Sequence, residues 1–266
     1  MNASASIIPL RDCSPAEWAA RQELACAYRL FDHYGWYELI FNHITVRVPG
    51  TDDQFLINPF GLMYREVTAS NLVKVDINGR ILGEARYPIN QAGFVVHSAV
   101  HAARHDAHAV IHTHTTAGQA VACQQQGLLM MSFHAMMFHN SLAYHDFEGI
   151  TVDAGERVRM VADLGDKNVM ILRNHGLLTC GATLAHAFNL HYQLNRACEV
   201  QIAAQAGGAA TIIPADDIAA QSARVFRSSI SVDAKTGQAN AGSNDDDLIF
   251  AAMTRWMVAK DPGFLG

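Results

Sequence analysis

Three histidines at the ends of two apolar segments are the residues of this chain best suited to chemistry. His112 and His114 follow the apolar run Ala109-Val110-Ile111. Side chains alternate between the two faces of a β-strand, so both imidazoles are expected to point to one side. His175 follows a second apolar run, Val169–Leu172, and precedes a glycine. Together these residues predict a divalent metal site with three imidazole ligands and further coordination positions open to water or substrate.

Two histidines at a strand end also fit an ordinary role as hydrogen-bonded polar residues. His175 favours the metal site because it supplies the third ligand that His112 and His114 lack. An ion held by three neutral imidazoles keeps its full positive charge, so it can polarise a carbonyl group and stabilise developing negative charge. Zinc is the first expectation, and manganese or iron also suit such a site.

Composition restricts the class of protein. The chain has 266 residues, 50% of them hydrophobic, and a net charge of −6 at pH 7. This size predicts one α/β domain, and the negative charge argues against nucleic acid as a partner. There is no run of about 18 apolar residues, which argues against a membrane partner. The five cysteines are widely spaced, and this spacing favours reduced thiols in a cytoplasmic protein.

Capping residues predict the helices that hold the histidines in place. A helix is expected over Gln91–Ala103, before the strand that carries His112. A second helix follows His114 directly, and either Thr115 or Thr116 can cap it. The N-terminal amides of that helix would lie beside the histidine pair and would favour an anion near the metal.

The chain is predicted to consist of one main domain and a C-terminal element. Ser14 and Pro15 are typical of a helix start and mark the beginning of the domain. Residues 228–247 are rich in serine, glycine, asparagine and aspartate and contain little that could pack in a core. The predicted boundaries are a main domain over 14–227, a linker or mobile loop over 228–247, and a C-terminal helix and tail over 248–266.

Motifs of other common enzyme classes are missing from the sequence. It contains no Gly-x-Ser-x-Gly elbow, no Gly-x-x-x-x-Gly-Lys phosphate loop and no Gly-x-Gly-x-x-Gly dinucleotide fingerprint. Serine hydrolase, nucleotidase and dehydrogenase functions therefore lack the residues that their chemistry needs.

Several ungapped segments resemble the class II aldolase and adducin family. They are residues 92–104, His112-Thr113-His114 and residues 173–178, in the order in which the family carries them. The resemblance extends over about residues 15–208, and Tyr144-His145-Asp146-Phe147 makes it closest to the adducin head and its bacterial relatives.

The resemblance implies an α/β fold of three layers, α/β/α, with a central, mainly antiparallel sheet. It implies assembly as a cyclic homotetramer with active sites at subunit interfaces. It also implies zinc or a similar ion on His112, His114 and His175. In the sugar-phosphate aldolases of this family, loops matching Asn42 and the turn from Asn58 to Gly61 hold the anionic group of the substrate. An Asn-Pro-x-Gly turn is equally ordinary loop chemistry.

The sequence departs from the family pattern at its acid and base residues. Aldolases of the fuculose-phosphate type carry a glutamate at the position of Gly93, and dehydratase relatives and adducins carry one near Ala135. Both carboxylates are missing here. His134, and less directly His139, are the candidates for proton transfer because imidazole titrates near neutral pH. A role as partly buried hydrogen-bonding residues is the alternative for both.

These residues lead to two hypotheses for function. The first is a divalent-metal-dependent lyase, aldolase-like or decarboxylase-like, that acts on a small oxygenated anionic molecule. Decarboxylation suits the missing glutamates because loss of carbon dioxide requires no prior removal of a proton. The second hypothesis is a non-catalytic, adducin-like scaffold or protein-binding module, which the same loss of glutamates would permit.

Overall fold

The computed structural model describes residues 13–149, 154–227 and 245–266. Within these residues the chain forms eight helices and seven strands. The helices are α1 (Pro15–Tyr34), α2 (Gln91–Ala103), α3 (Thr116–Ala122), α4 (Phe133–Met136), α5 (Ala154–Leu164), α6 (Leu184–Gln205), α7 (Asp216–Arg227) and α8 (Asp245–Lys260). The strands are β1 (His43–Arg47), β2 (Gln54–Ile57), β3 (Val73–Asp76), β4 (Ala109–Thr113), β5 (Leu142–His145), β6 (Val169–Leu172) and β7 (Gly176–Gly181).

The seven strands form one sheet in the order β3-β2-β1-β4-β7-β6-β5. Every neighbouring pair is antiparallel except β5 and β6, which run parallel. The prediction of a mainly antiparallel sheet is therefore confirmed. Strands β4 and β7, which carry or adjoin the three histidines, lie in the interior of the sheet, where the backbone is hydrogen-bonded on both sides and is held most rigidly.

Helices cover both faces of this sheet. Ile111 of β4 packs in a core cluster with side chains of α1, α6 and α8. The preceding residue, Val110, points to the other face and packs with side chains of α2 and α5. This alternation along a single strand places the sheet between two helical layers, which confirms the predicted three-layer fold.

The first helix begins and ends where its sequence predicts. The Ser14 hydroxyl accepts a hydrogen bond from the backbone amide of Glu17 at 3.1 Å, and Pro15 occupies the first helical position. At the other end Gly35 adopts a left-handed conformation with φ 71°. The helix α2 covers Gln91–Ala103 as predicted, with the Asn90 side chain as its cap.

The C-terminal helix belongs to the main core. Phe250 and Met257 of α8 are buried in the same cluster as the apolar face of α1, and so is Phe264, which follows α8. The predicted linker lies almost entirely outside the described residues, since only 245–247 are described and these form the first turn of α8. Among the helices that the structure describes, none combines the length and hydrophobicity needed to cross a membrane.

Candidate metal centre

The antiparallel pair β4 and β7 brings the three histidines together. Thr113, at the end of β4, lies opposite Leu177 near the start of β7, so His175 enters the sheet beside His112 and His114. A Cβ atom added to Gly176 would lie 2.3 Å from the carbonyl oxygen of Thr113. Only glycine allows the two backbones to approach so closely at this point.

The ring nitrogens of the three histidines converge. The Nε2 atom of His114 lies 2.8 Å from Nε2 of His112 and 2.9 Å from Nε2 of His175. Each ring offers one nitrogen atom to a group in which all such atoms lie within 4.8 Å of one another. His112 is buried, and the other two rings are partly exposed, so the cluster has an open side.

Hydrogen bonds at the Nδ1 atoms of two of these histidines leave their Nε2 atoms facing the cluster. The Nδ1 atom of His112 lies 2.9 Å from the carbonyl oxygen of Leu177, and Nδ1 of His114 contacts the carboxylate of Glu38. Both partners are acceptors, so each Nδ1 carries a hydrogen, which leaves Nε2 of each ring as the atom available to a metal. Facing lone pairs repel each other unless a cation lies between them. The donor set therefore fits a divalent metal.

Burial keeps two of the rings neutral. Burial, together with the neighbouring His175 and His114, holds the pKa of His112 well below its usual value. Burial and the nearby His114 lower the pKa of His175 to about 4. Because only the unprotonated imidazole can bind a metal, these two residues are ready to act as ligands at neutral pH.

Glu38 is a site residue that the sequence did not reveal. It lies between α1 and β1, and its half-exposed carboxylate accepts the hydrogen bond from Nδ1 of His114. A carboxylate in this position fixes the ring of a ligand and raises its basicity. Glu38 is 76 residues from His114 in the chain, and no spacing or motif links the two.

Replacing Glu38 with glutamine is expected to weaken metal binding about 10- to 100-fold. The neutral amide orients the His114 ring less firmly, and the negative charge beside that ring is lost. Competition titration of Co²⁺ against a chelator measures the change. Glu84→Gln is the matched control, since Glu84 is exposed and makes no contact with the histidines among the described residues. Equal affinities in the two variants would exclude an orienting role for Glu38.

Comparison with known proteins places the chain in a family. Residues 22–202 match the family described as the class II aldolase and adducin N-terminal domain. The chain belongs to this family. The match spans most of the first helix, the whole sheet and most of α6, so it includes all three histidines of the cluster.

Three relatives show the range of this family. An aldolase II superfamily protein from Pseudomonas syringae superposes with a TM-score of 0.88 at 45% identity, over 96% of this chain and 98% of that one. L-fuculose 1-phosphate aldolase from Glaciozyma antarctica PI12 superposes with a TM-score of 0.75 at 28% identity, over 95% of each chain. Alpha-adducin of Mus musculus is 48% identical over 201 residues, which are 74% of this chain and 27% of that protein.

The residues that the family resemblance suggested for substrate binding lie at the ends of β1 and β2. Asn42 and Asn58 are each 1% exposed, whereas Gly61 lies on the surface with φ 105°. The Asn58 side-chain oxygen contacts the Tyr28 hydroxyl at 2.9 Å. Both amide atoms of Asn42 lack a hydrogen-bond partner in the described part of the chain. Contact of these residues with a substrate stays a prediction.

The histidines proposed for proton transfer lie in a different environment. His134 is on α4, where Nδ1 contacts the Gln193 side chain of α6 at 2.6 Å and the ring packs on Phe133. His139 contacts Asp216 of α7 at 2.8 Å. Among the described residues, no hydrogen bond or ring contact joins His134 to the three clustered histidines. Its catalytic role stays a prediction without support from the contacts within one chain.

Proposed function

We propose that this chain is a divalent-metal-dependent lyase, with zinc as the metal, that cleaves a carbon–carbon bond in a small oxygenated anion. The observation that carries the proposal is the convergence of three Nε2 atoms, in a cluster where acceptors hold the opposite nitrogens of the His112 and His114 rings. The similarity to L-fuculose 1-phosphate aldolase supports the same reaction class. Aldol cleavage and decarboxylation are the two reactions that the site suits.

The residues of the cluster have distinct tasks in this proposal. His112, His114 and His175 hold the metal, while Glu38 and the Leu177 carbonyl keep two of the rings in orientation. The bound ion would supply Lewis-acid polarisation of a carbonyl group and stabilisation of developing negative charge. Position 93 has no side chain and position 135 only a methyl group, so neither supplies a proton acceptor. Decarboxylation needs none before the bond breaks.

An open cleft whose lining includes Asn174, the residue before His175, supports a small-molecule substrate. Its volume is about 540 Å³, within the range of small-molecule sites. Phe147 lines it and lies 6.2 Å from the His175 ring, centroid to centroid. Arg173 also lines it, with its guanidinium held 2.8 Å from the carbonyl oxygen of Gln124 and 4.2 Å above the Tyr144 ring. A fixed cation at this edge suits a carboxylate or phosphate group.

The proposal includes assembly as a homotetramer in which the open side of the cluster meets a neighbouring subunit. Family resemblance is the basis for this part. Size-exclusion chromatography with light scattering measures the mass of the assembly directly, and a monomer at working concentrations would remove this part of the proposal while leaving the metal site intact.

Turnover by metal-loaded protein tests the proposed reaction. We expect zinc-loaded protein to cleave at least one member of a panel of sugar phosphates, hydroxy acids and aromatic acids, and chelator-treated protein to be inactive until zinc is restored. His112→Ala is the control against contaminating enzymes. Activity that persists in His112→Ala or in metal-free protein would refute the proposed mechanism.

A protein-binding scaffold is the second candidate function. The similarity to alpha-adducin over three-quarters of this chain favours it, and the missing carboxylates at positions 93 and 135 permit it. A stoichiometric protein partner together with no turnover across the panel would support the scaffold over the lyase.

A further inference from the structure

Residues 43 and 93 compete for one volume. A Cβ atom added to Gly93 of α2 would lie 2.1 Å from both Cδ2 and Nε2 of His43. Carbon and nitrogen atoms in contact require about 3.5 Å. Residue 93 can therefore have no side chain while the His43 imidazole holds its place.

This shared volume adjoins the metal cluster. His43 is the first residue of β1 and lies opposite His112 in the antiparallel pair of β1 and β4. Paired residues project to the same face of a sheet, so the two imidazoles are neighbours. Burial above all, and the nearby His114, lower the pKa of His43 to about 4. His43 is thus a fourth imidazole next to the three that form the candidate metal site.

The contacts of His43 show which nitrogen is free. Its Nδ1 lies 3.2 Å from the side-chain oxygen of Asn58, an acceptor, so Nδ1 carries the hydrogen. Its Nε2 is buried and has no hydrogen-bond partner in the described part of the chain. His43 therefore presents a lone pair at the place that a side chain of residue 93 would occupy.

A neighbouring chain of hydrogen bonds also ends at a buried imidazole nitrogen that can only accept a hydrogen bond. His101 donates from Nδ1 to the carbonyl of Ala107 at 3.0 Å, so its Nε2 accepts from the Thr45 hydroxyl at 2.8 Å. That hydroxyl in turn accepts from Nδ1 of His97 at 2.8 Å. The Nε2 of His97 is left as a buried acceptor without a partner among the described residues. The rings of His97 and His43 lie 6.1 Å apart, centroid to centroid.

We propose that the His43 imidazole takes the place of the glutamate side chain that fuculose-phosphate aldolases carry at the position of Gly93. The substrate must then supply the negative charge beside the metal. This inference rests on the proposed lyase function and specifies its substrate as a carboxylate-bearing molecule, such as a hydroxy acid or an oxo acid. An imidazole offers the same kind of acceptor atom as a glutamate but carries no negative charge. Three neutral ligands and a neutral neighbour leave only the outer carboxylate of Glu38 to offset the two positive charges of the ion, which favours an anionic ligand.

The first arm of the test examines the shared volume without any metal. Thermal unfolding of chelator-treated protein is measured for wild type, Gly93→Glu, His43→Ala and the double variant. We expect Gly93→Glu to lower the melting temperature by about 3 to 10 °C through overpacking, and the addition of His43→Ala to restore most of that loss. Unchanged stability in Gly93→Glu, or no recovery in the double variant, would overturn the proposed exchange.

The second arm examines charge selection with oxalate, a small dicarboxylate, as the probe. Oxalate is titrated into Co²⁺-loaded protein and followed by the visible spectrum of the ion. We expect His43→Ala/Gly93→Glu to bind oxalate weaker by about tenfold or more than His43→Ala/Gly93→Gln, which has the same shape without the charge. Equal oxalate affinity in these two variants would refute charge selection. Failure of wild type to bind Co²⁺ would instead refute the proposed function, and the first arm would still report on the shared volume.

Discussion

Replacing His112 with alanine is expected to weaken binding of Zn²⁺ or Co²⁺ by at least about 100-fold. Loss of a residue that only hydrogen-bonds to a metal ligand already weakens metal binding by up to about 100-fold. His112 is itself a proposed ligand, and its Nε2 lies 2.8 Å from that of His114. Metal content after purification, measured by mass spectrometry, and competition with a chelator give the change. His175→Ala should behave in the same way.

Two further measurements separate ligand loss from misfolding. His105→Ala is the matched control, since His105 is exposed and lies outside the cluster. Circular dichroism of each variant establishes that the fold persists, and the half-buried His175 is the safer site if replacement of His112 impairs folding. Wild-type metal content in both folded ligand variants would mean that the three imidazoles do not form the metal site.

Acidification is expected to destabilise the metal-free protein, and three buried histidines alone should contribute roughly 4 kcal/mol per pH unit well below pH 6.5. Burial lowers the pKa of His101 and of His191 to about 3 and holds that of His97 well below its usual value. The unfolded chain binds a proton at each of these residues below about pH 6.5, whereas the folded chain does not until the pH is far lower. The unfolded state therefore gains protons, and stability falls as the pH is lowered.

Urea unfolding at pH 7.0, 6.0, 5.5 and 5.0 measures this dependence. His191→Gln should reduce the slope by about 1.4 kcal/mol per pH unit, the contribution of one histidine, because glutamine can contact Thr113 and Thr179 without titrating. His105→Ala, at an exposed position, is the control for the removal of one histidine. A stability that is flat between pH 7 and pH 5 would show that these histidines are protonated in the folded protein.

Local pattern was enough to predict the elements that position the site. Ser14 and Pro15 indicate the start of α1, and the helix over Gln91–Ala103 has the predicted bounds. These signals lie within a few residues of what they determine, because a capping side chain bonds the amide three positions away. The C-terminal helix was also predicted, but only the folded chain places Phe250 in the core of α1.

The sequence by itself indicated the three histidines through strand alternation and the family through its ordered motifs, because both are properties of short segments. The three-layer fold was predicted from that family resemblance. Only the tertiary structure brought Nε2 of His175 to that of His114, brought Glu38 to His114 and put the His43 ring over Gly93. These contacts join residues that are distant in the chain. They depend on strand register and on backbone approach at Gly176, which no local pattern encodes.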